Sequence, residues 1–172
     1  MDIKEHVGIR GWYEIKATDK DGNSIIDRIK APNAHIEGDT LIFPNTLTNT
    51  GFAEVAGLIT ADVSGTGWDY IALGTDATAP AAAQTTLVAE TAVSGGSRRG
   101  GADVTGTRVT TTQADDTMQL VTTFTFTGAL AIEEVGIFNG TPAGTMLSRQ
   151  LLSFGANNGD SMQITYKIQV SA

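Results

Sequence analysis

The side chains able to do chemistry are few in this chain, and they are scattered. Among 172 residues there are two histidines, His6 and His35, and no cysteine, so no thiolate ligand, thiol nucleophile or disulfide is available. The histidines lack the four-residue spacing that lets one helix face present two imidazoles to a metal. His6 falls in a charged N-terminal stretch and His35 in a loop, and surface placement is expected for both. Asp19-Lys20-Asp21-Gly22-Asn23 has the composition of a calcium loop, but such a loop places glycine sixth and a bidentate glutamate twelfth. Here glycine is fourth and the twelfth residue is Lys30. The preference of Asp-Gly for a hairpin turn explains the same residues without an ion. Ser148, Ser153 and Ser161 have no neighbouring base that would activate a hydroxyl.

Paired carboxylates occur at Asp115-Asp116 and Glu133-Glu134. An acid/base pair must face itself across a cleft, whereas sequence neighbours on a strand point to opposite faces. Asp115-Asp116 precedes a strand-like run and reads as a turn. Glu133-Glu134 sits inside one, so one carboxylate is expected to point inward or to a strand edge, as an edge-protecting charge or in a salt bridge to Arg149. Arg98-Arg99 is flanked by glycines in "SGGSRRGG", Ser94 to Gly101, which has the composition of a flexible loop. No catalytic, cofactor-binding or metal-binding constellation emerges, and the chain is not expected to be an enzyme.

The elements around these residues are mostly strands. Val7 to Ala17 reads as the first, Asp21-Gly22 as a hairpin turn, and Ile25 to Ile29 as the returning strand. Residues 31 to 45 read as a loop with a short strand at Leu41 to Phe43. From Leu47 to Ile59 the period changes: Phe52, Val55, Ala56 and Ile59 recur at helical spacing, with Thr48 or Asn49 as cap and Gly51 and Gly57 as weak points. Trp68 to Gly74 reads as a strand, Ala77 to Thr86 as an exposed loop and Leu87 to Glu90 as a helical turn. Met118, Leu120, Phe124 and Phe126 share one parity, and Met162, Ile164, Tyr166, Ile168 and Val170 alternate with polar residues without a break. With Ile132 to Phe138 and Thr145 to Phe154 they predict an antiparallel run of four or five strands. The fold class is mainly β: an antiparallel β-sandwich or jelly-roll-like barrel with one short helix, formed by a single domain over residues 7–172 behind an N-terminal arm at 1–6.

Composition agrees. The chain carries 25 threonines, 21 alanines and 20 glycines, and only 17% charged residues, below the roughly 25% common in soluble domains. Its formal net charge of −8 argues against nucleic acid, whose phosphates it would repel, and suits a basic protein surface. No apolar run approaches the roughly 18 residues of a membrane span, and Met1 to Glu5 lacks the apolar region of a secretory signal. Synthesis in the cytoplasm is expected. Sugar binding asks for exposed aromatic platforms, and the two tryptophans, Trp12 and Trp68, lie in strand-like segments where core placement is expected.

Two stretches carry a resemblance: "WDYIALGTDATAPAAAQTTLVAE", Trp68 to Glu90, and "IEEVGIFNGTPAGTMLSRQLLS", Ile132 to Ser153. They resemble tailed-bacteriophage virion proteins in which a strand ending Ile-Ala-Leu-Gly-Thr-Gly leads into an Ala/Pro/Thr loop and a Leu-x-x-Glu segment. A Glu-x-Gly-Ile-Phe-Asn strand follows, then a glycine turn and a strand carrying arginine. Here the second part is Glu134, Gly136, Ile137, Phe138, Asn139, Gly144 and Arg149, while Asp76 replaces the usual glycine after Gly74-Thr75. "NTLTNTGFAEVAGLI" resembles the entry to that family's one helix. The resemblance implies a virion component: a capsid decoration (cement) protein, a trimer or other symmetric homo-oligomer, bound to the major capsid protein on the capsid exterior, or a tail, collar or fibre protein of the same fold. Partner contacts are expected from the arm, at Ile3, Lys4 and Glu5, and from the loop at Arg98 and Arg99.

Overall fold

The computed structural model describes residues 8–59 and 65–171. Two antiparallel sheets face each other, and neither closes into a barrel. The six-stranded sheet runs, in spatial order, β2 (His35–Glu37), β3 (Thr40–Pro44), β1 (Gly8–Thr18), β11 (Ser161–Ser171), β8 (Thr117–Thr125) and β7 (Thr105–Val109). The five-stranded sheet runs β4 (Thr46–Leu47), β10 (Met146–Ala156), β9 (Leu130–Phe138), β5 (Tyr70–Gly74) and β6 (Arg99–Gly100). The fold is a β-sandwich, and the single helix among the described residues is α1 (Asn49–Ile59).

Period-2 alternation selects the inner face. Tyr13, Ile15 and Ala17 of β1 pair with Tyr166, Ile164 and Met162 of β11, and all six are buried. Opposite them, Ile71, Leu73, Ile132, Val135, Ile137, Leu152 and Phe154 of the second sheet complete the core. Tyr13 stacks on Phe43 with ring centroids 5.3 Å apart and tilts against Tyr166 at 5.0 Å. The phenols also carry polar links through the apolar layer: Tyr13 Oη shares a hydrogen bond with Ser148 Oγ at 3.0 Å, and Asn45 Nδ2 donates to Tyr166 Oη at 2.8 Å. Buried polar groups need such partners. Burial, reinforced by the neighbouring Tyr166, pushes the Tyr13 hydroxyl well above its ordinary titration range, so it stays protonated and available for that bond.

The second sheet is covered on its other face as well. The segment between Gly74 and Arg99 crosses it and buries Ala72, Leu87, Phe138 and Met146 in a smaller apolar cluster. Within it the Ala/Pro/Thr stretch, Ala77 to Thr86, is an exposed loop as expected, with only Pro80 and Gln84 half-buried. Leu87 to Glu90 forms no helical turn; Glu90 instead bridges to Gly74 as a short strand contact. The Asp19 to Asn23 turn is present, with Asp19 Oδ1 accepting the N–H groups of Asp21 and Asn23, each at 2.9 Å. Beyond it, however, Ile26–Arg28 is a single 3₁₀ turn rather than a strand. Ile25, Ile26 and Ile29 are all buried there, which two-fold alternation could not achieve.

Helix α1 lies where its period predicts, but it is rotated relative to expectation. Thr48 caps it, its Oγ1 accepting the Gly51 N–H at 2.9 Å. The buried positions are Gly51 and Gly57. A Cβ on Gly51 would lie 2.6 Å from the Leu147 carbonyl oxygen, so the helix backbone rests directly on β10. That close approach requires glycine and turns the expected core face outward: Phe52 is 49% exposed, Ile59 83%, and Ala56 is exposed with them, while Val55 is half-buried.

Candidate docking surface and buried clasp

Of the seven large apolar side chains left exposed among the described residues, four gather around α1 and the end of β11: Phe52, Leu58, Ile59 and Val170. Leu58 and Val170 line a cleft of about 320 Å³ together with Ile9, Val55, Trp68 and Met118. Scattered apolar residues on a surface need no explanation, whereas three on one helix, Phe52, Leu58 and Ile59, make its outward side a candidate contact face. The helical spacing of Phe52, Val55, Ala56 and Ile59 locates the stripe in the sequence; Gly51 and Gly57 are the positions that meet the sheet.

The carboxylate expected to reach Arg149 does so. Glu134 and Arg149 are fully buried, at 0% and 1% exposure, with Nε donating to Oε2 at 2.5 Å. They lie beneath the covering segment rather than between the sheets, because Glu134 also accepts the N–H groups of Val88 at 3.1 Å and Ala89 at 2.7 Å. Arg149 Nη1 donates to Gln84 Oε1 at 3.2 Å. Gly74 makes room for the acid: a Cβ there would sit 2.4 Å from Glu134 Oε1. A register shift of the β9–β10 pairing between Leu151 and Phe154 accompanies this site, and Glu133 is left at the surface end accepting a long bond from Ser153 Oγ at 3.4 Å. With its oxygens occupied and no exposure, Glu134 clasps the segment to the sheet; it has no access to a substrate.

Arg98 and Arg99 belong to the same cover. Arg98 pairs with Glu90 through Nε at 2.9 Å and Nη2 at 2.5 Å, donates from Nη1 to the Gly140 carbonyl at 2.6 Å, and lies 3.9 Å over the Phe138 ring. Its side chain is only 8% exposed. Arg99 lies over Phe124 and pairs with Asp103 at 3.7 Å. The glycine-rich segment is thus tied down by its two arginines, and Arg98 presents little surface to a partner. Ile3, Lys4, Glu5 and His6 lie outside the described residues.

The remaining sites resolve into turns. Asp116 accepts the N–H groups of Thr111, Thr112 and Gln113 and the side-chain amide of Gln169. Partial desolvation opposes its ionisation, but these donors outweigh it and hold the carboxyl well below the usual range. His35 is exposed, 3.3 Å from Glu37. Among the described residues no group of three or more His, Asp or Glu could hold a metal ion, and no helix is long and apolar enough to cross a membrane.

Trp12 departs from the expected core placement. It projects from the outer face of β1, its Nε1 donating to Glu14 at 2.8 Å. The parity of Tyr13, Ile15 and Ala17 against Trp12, Glu14 and Lys16 carried that signal in the sequence. Comparison of the chain with protein-family models, with curated proteins and with solved structures finds no match in any of the three.

Proposed function

We propose that this chain is a structural component of a tailed-bacteriophage virion, a capsid decoration protein that docks on the major capsid protein lattice through the outward face of α1. The observation that carries the protein-binding part is the stripe Phe52, Ala56 and Ile59, spaced as for burial and left exposed by the glycine contact with β10. The virion part rests on the resemblance of Trp68 to Glu90 and Ile132 to Ser153. The polar groups of the interior support a non-catalytic role, since Glu134, Tyr13 and Tyr166 are spent on internal bonds and Arg149 is held through Nε and Nη1. Burying a large apolar side chain contributes about 1.5–3 kcal/mol. Phe52, Leu58 and Ile59 together supply a modest energy per copy, sufficient when repeated over a shell where each bound copy favours the assembled state. A net charge of −8 directs the partner toward a basic rim around an apolar groove.

The test is co-sedimentation with particles stripped of this protein. Phe52→Asp and Ile59→Asp should each lower occupancy at least about tenfold, the equivalent of 1.4 kcal/mol, with melting temperatures near that of the parent. Unchanged occupancy would remove α1 as the contact. Loss of a solution oligomer in the same variants, by sedimentation velocity, would assign the face to self-association instead. Antibody labelling confined to tails would replace the capsid reading by the tail, collar or fibre one.

A further inference from the structure

The outer face of the six-stranded sheet carries a second feature, unrelated to α1. A cleft of about 570 Å³ crosses from β1 to β2 and is lined by Arg10, Trp12, Asn33, His35, Glu37 and Pro44. Its volume lies within the roughly 300–1,000 Å³ usual for small-ligand sites. The strand order β2–β3–β1 places Trp12 and Arg10 at one side, Pro44 opposite Trp12 across the β1–β3 pairing, and His35 and Glu37 on the outermost strand. We infer that this cleft is a binding site for a neutral oligosaccharide, with Trp12 as the platform on which a sugar ring lies.

Three properties of the site carry the inference. First, Trp12 is anchored by hydrogen bonds that need no ligand. Its indole N–H is held by Glu14 at 2.8 Å, and Glu14 is held in turn by Lys167 at 2.7 Å. A pre-positioned platform avoids the entropy that ordering would cost. Second, the half-buried ring lines the cleft, and its cationic neighbours stand at the outer limit of contact. Arg10 and Lys167 stand 5.6 and 6.0 Å from its centroid, whereas the guanidinium that truly covers a ring in this protein, Arg98 on Phe138, stands at 3.9 Å. Third, the groups around the ring are those that read hydroxyls: the Asn33 amide, the His35 imidazole, the Glu37 carboxylate and the remaining donors of Arg10, whose Nε is engaged by Gln169 at 2.7 Å.

Charge selects the class of sugar. Arg10 and Glu37 cancel across the cleft, and the chain as a whole is anionic at −8. An acidic glycan would be repelled, while a neutral one can take the carboxylate as acceptor and the amide and guanidinium as donors.

The experiment is saturation-transfer-difference NMR on the full chain with maltotriose, cellotriose, chitotriose and mannotriose, each at about 1 mM, a concentration suited to dissociation constants near 10⁻³ M. At least one trisaccharide should show transfer concentrated on one ring. Trp12→Leu should abolish it, and Glu37→Ala, on an exposed edge strand, should weaken it about tenfold. Phe52→Asp should leave it intact, separating this site from the docking face. Absence of transfer from all four sugars would overturn the inference, as would transfer that survives both Trp12→Leu and Glu37→Ala.

Discussion

If Glu134 and Arg149 act as a clasp, their contributions to stability must depend on each other. Removing Arg149, as in Arg149→Met, leaves a carboxylate at 0% exposure with only the Val88 and Ala89 N–H groups to hold it. Breaking a buried pair from one side costs about 3–5 kcal/mol, because the surviving charge is buried without its partner. Glu134→Leu is expected to cost a similar amount, since it strands the guanidinium and both amides. Were the two independent, the double variant would lose about 6–10 kcal/mol, the sum of those figures. The double variant, however, has no uncompensated charge; what remains is the desolvation of two orphaned amides, at about 1–3 kcal/mol each. It should therefore be more stable than additivity predicts by about 4 kcal/mol. Urea unfolding followed by far-ultraviolet circular dichroism measures all four corners of the cycle, and hydrogen exchange at the Val88 and Ala89 amides shows whether the covering segment is what loosens. Additivity within about 0.5 kcal/mol, or single losses below about 1 kcal/mol as for surface pairs, would refute the reasoning.

Two further outcomes follow from the sheet. Ile164 is fully buried between the layers while Thr165 faces outward beside Glu14 and Val121, so Ile164→Ala should cost about 2–5 kcal/mol and Thr165→Ala under about 0.5 kcal/mol; equal losses in urea melts would overturn the strand's facing. Asp116 titrates lower when folded than when unfolded, so its contribution is present above the unfolded value near pH ~3.9 and is lost as pH falls through the folded one. Asp116→Asn should thus melt at a lower temperature than the parent at neutral pH, and the gap should narrow between about pH 4 and pH 2; a gap constant over that window would count against the assigned hydrogen bonds.

What the sequence made legible was whatever local periodicity encodes. The alternation from Met162 to Ile168 places each inward residue where it is found, and the helical spacing after Thr48 locates α1. Orientation was legible only where parity was consistent, as in β1. It failed where a contact at long range decides the matter. Gln169 should be exposed by alternation yet is fully buried, because Arg10, Thr112 and Asp116 all bond its amide from distant positions. Val170 should be buried and is half exposed where the sheet ends. The outward turn of α1 follows from one backbone contact, Gly51 on Leu147, which no hydrophobic pattern records. The Glu134–Arg149 pair was within reach because a carboxylate inside an apolar strand demands a partner.

The residues that carry the phage resemblance turn out to share one structural task. Leu87 packs in the outer cluster with Phe138, and Gly136 leaves it room, since a Cβ there would meet Leu87 at 2.8 Å. Glu90 grips Arg98, Glu134 grips Val88, Ala89 and Arg149, and Asn139 closes the following turn by accepting the Thr145 N–H at 2.6 Å. Each of these positions fastens the covering segment or the β9–β10 turn to the five-stranded sheet. A motif made of such residues specifies how a chain is held together, and it constrains nothing about the surfaces the chain offers. Both proposed contact surfaces lie where the motif is silent: on the exposed side of α1, and on the outer face of the six-stranded sheet around Trp12. On the two proposals above, variation at Phe52, Ile59, Trp12 or Glu37 would change what this sandwich binds without touching a single contact of the clasp, which is the arrangement expected when one scaffold serves different partners.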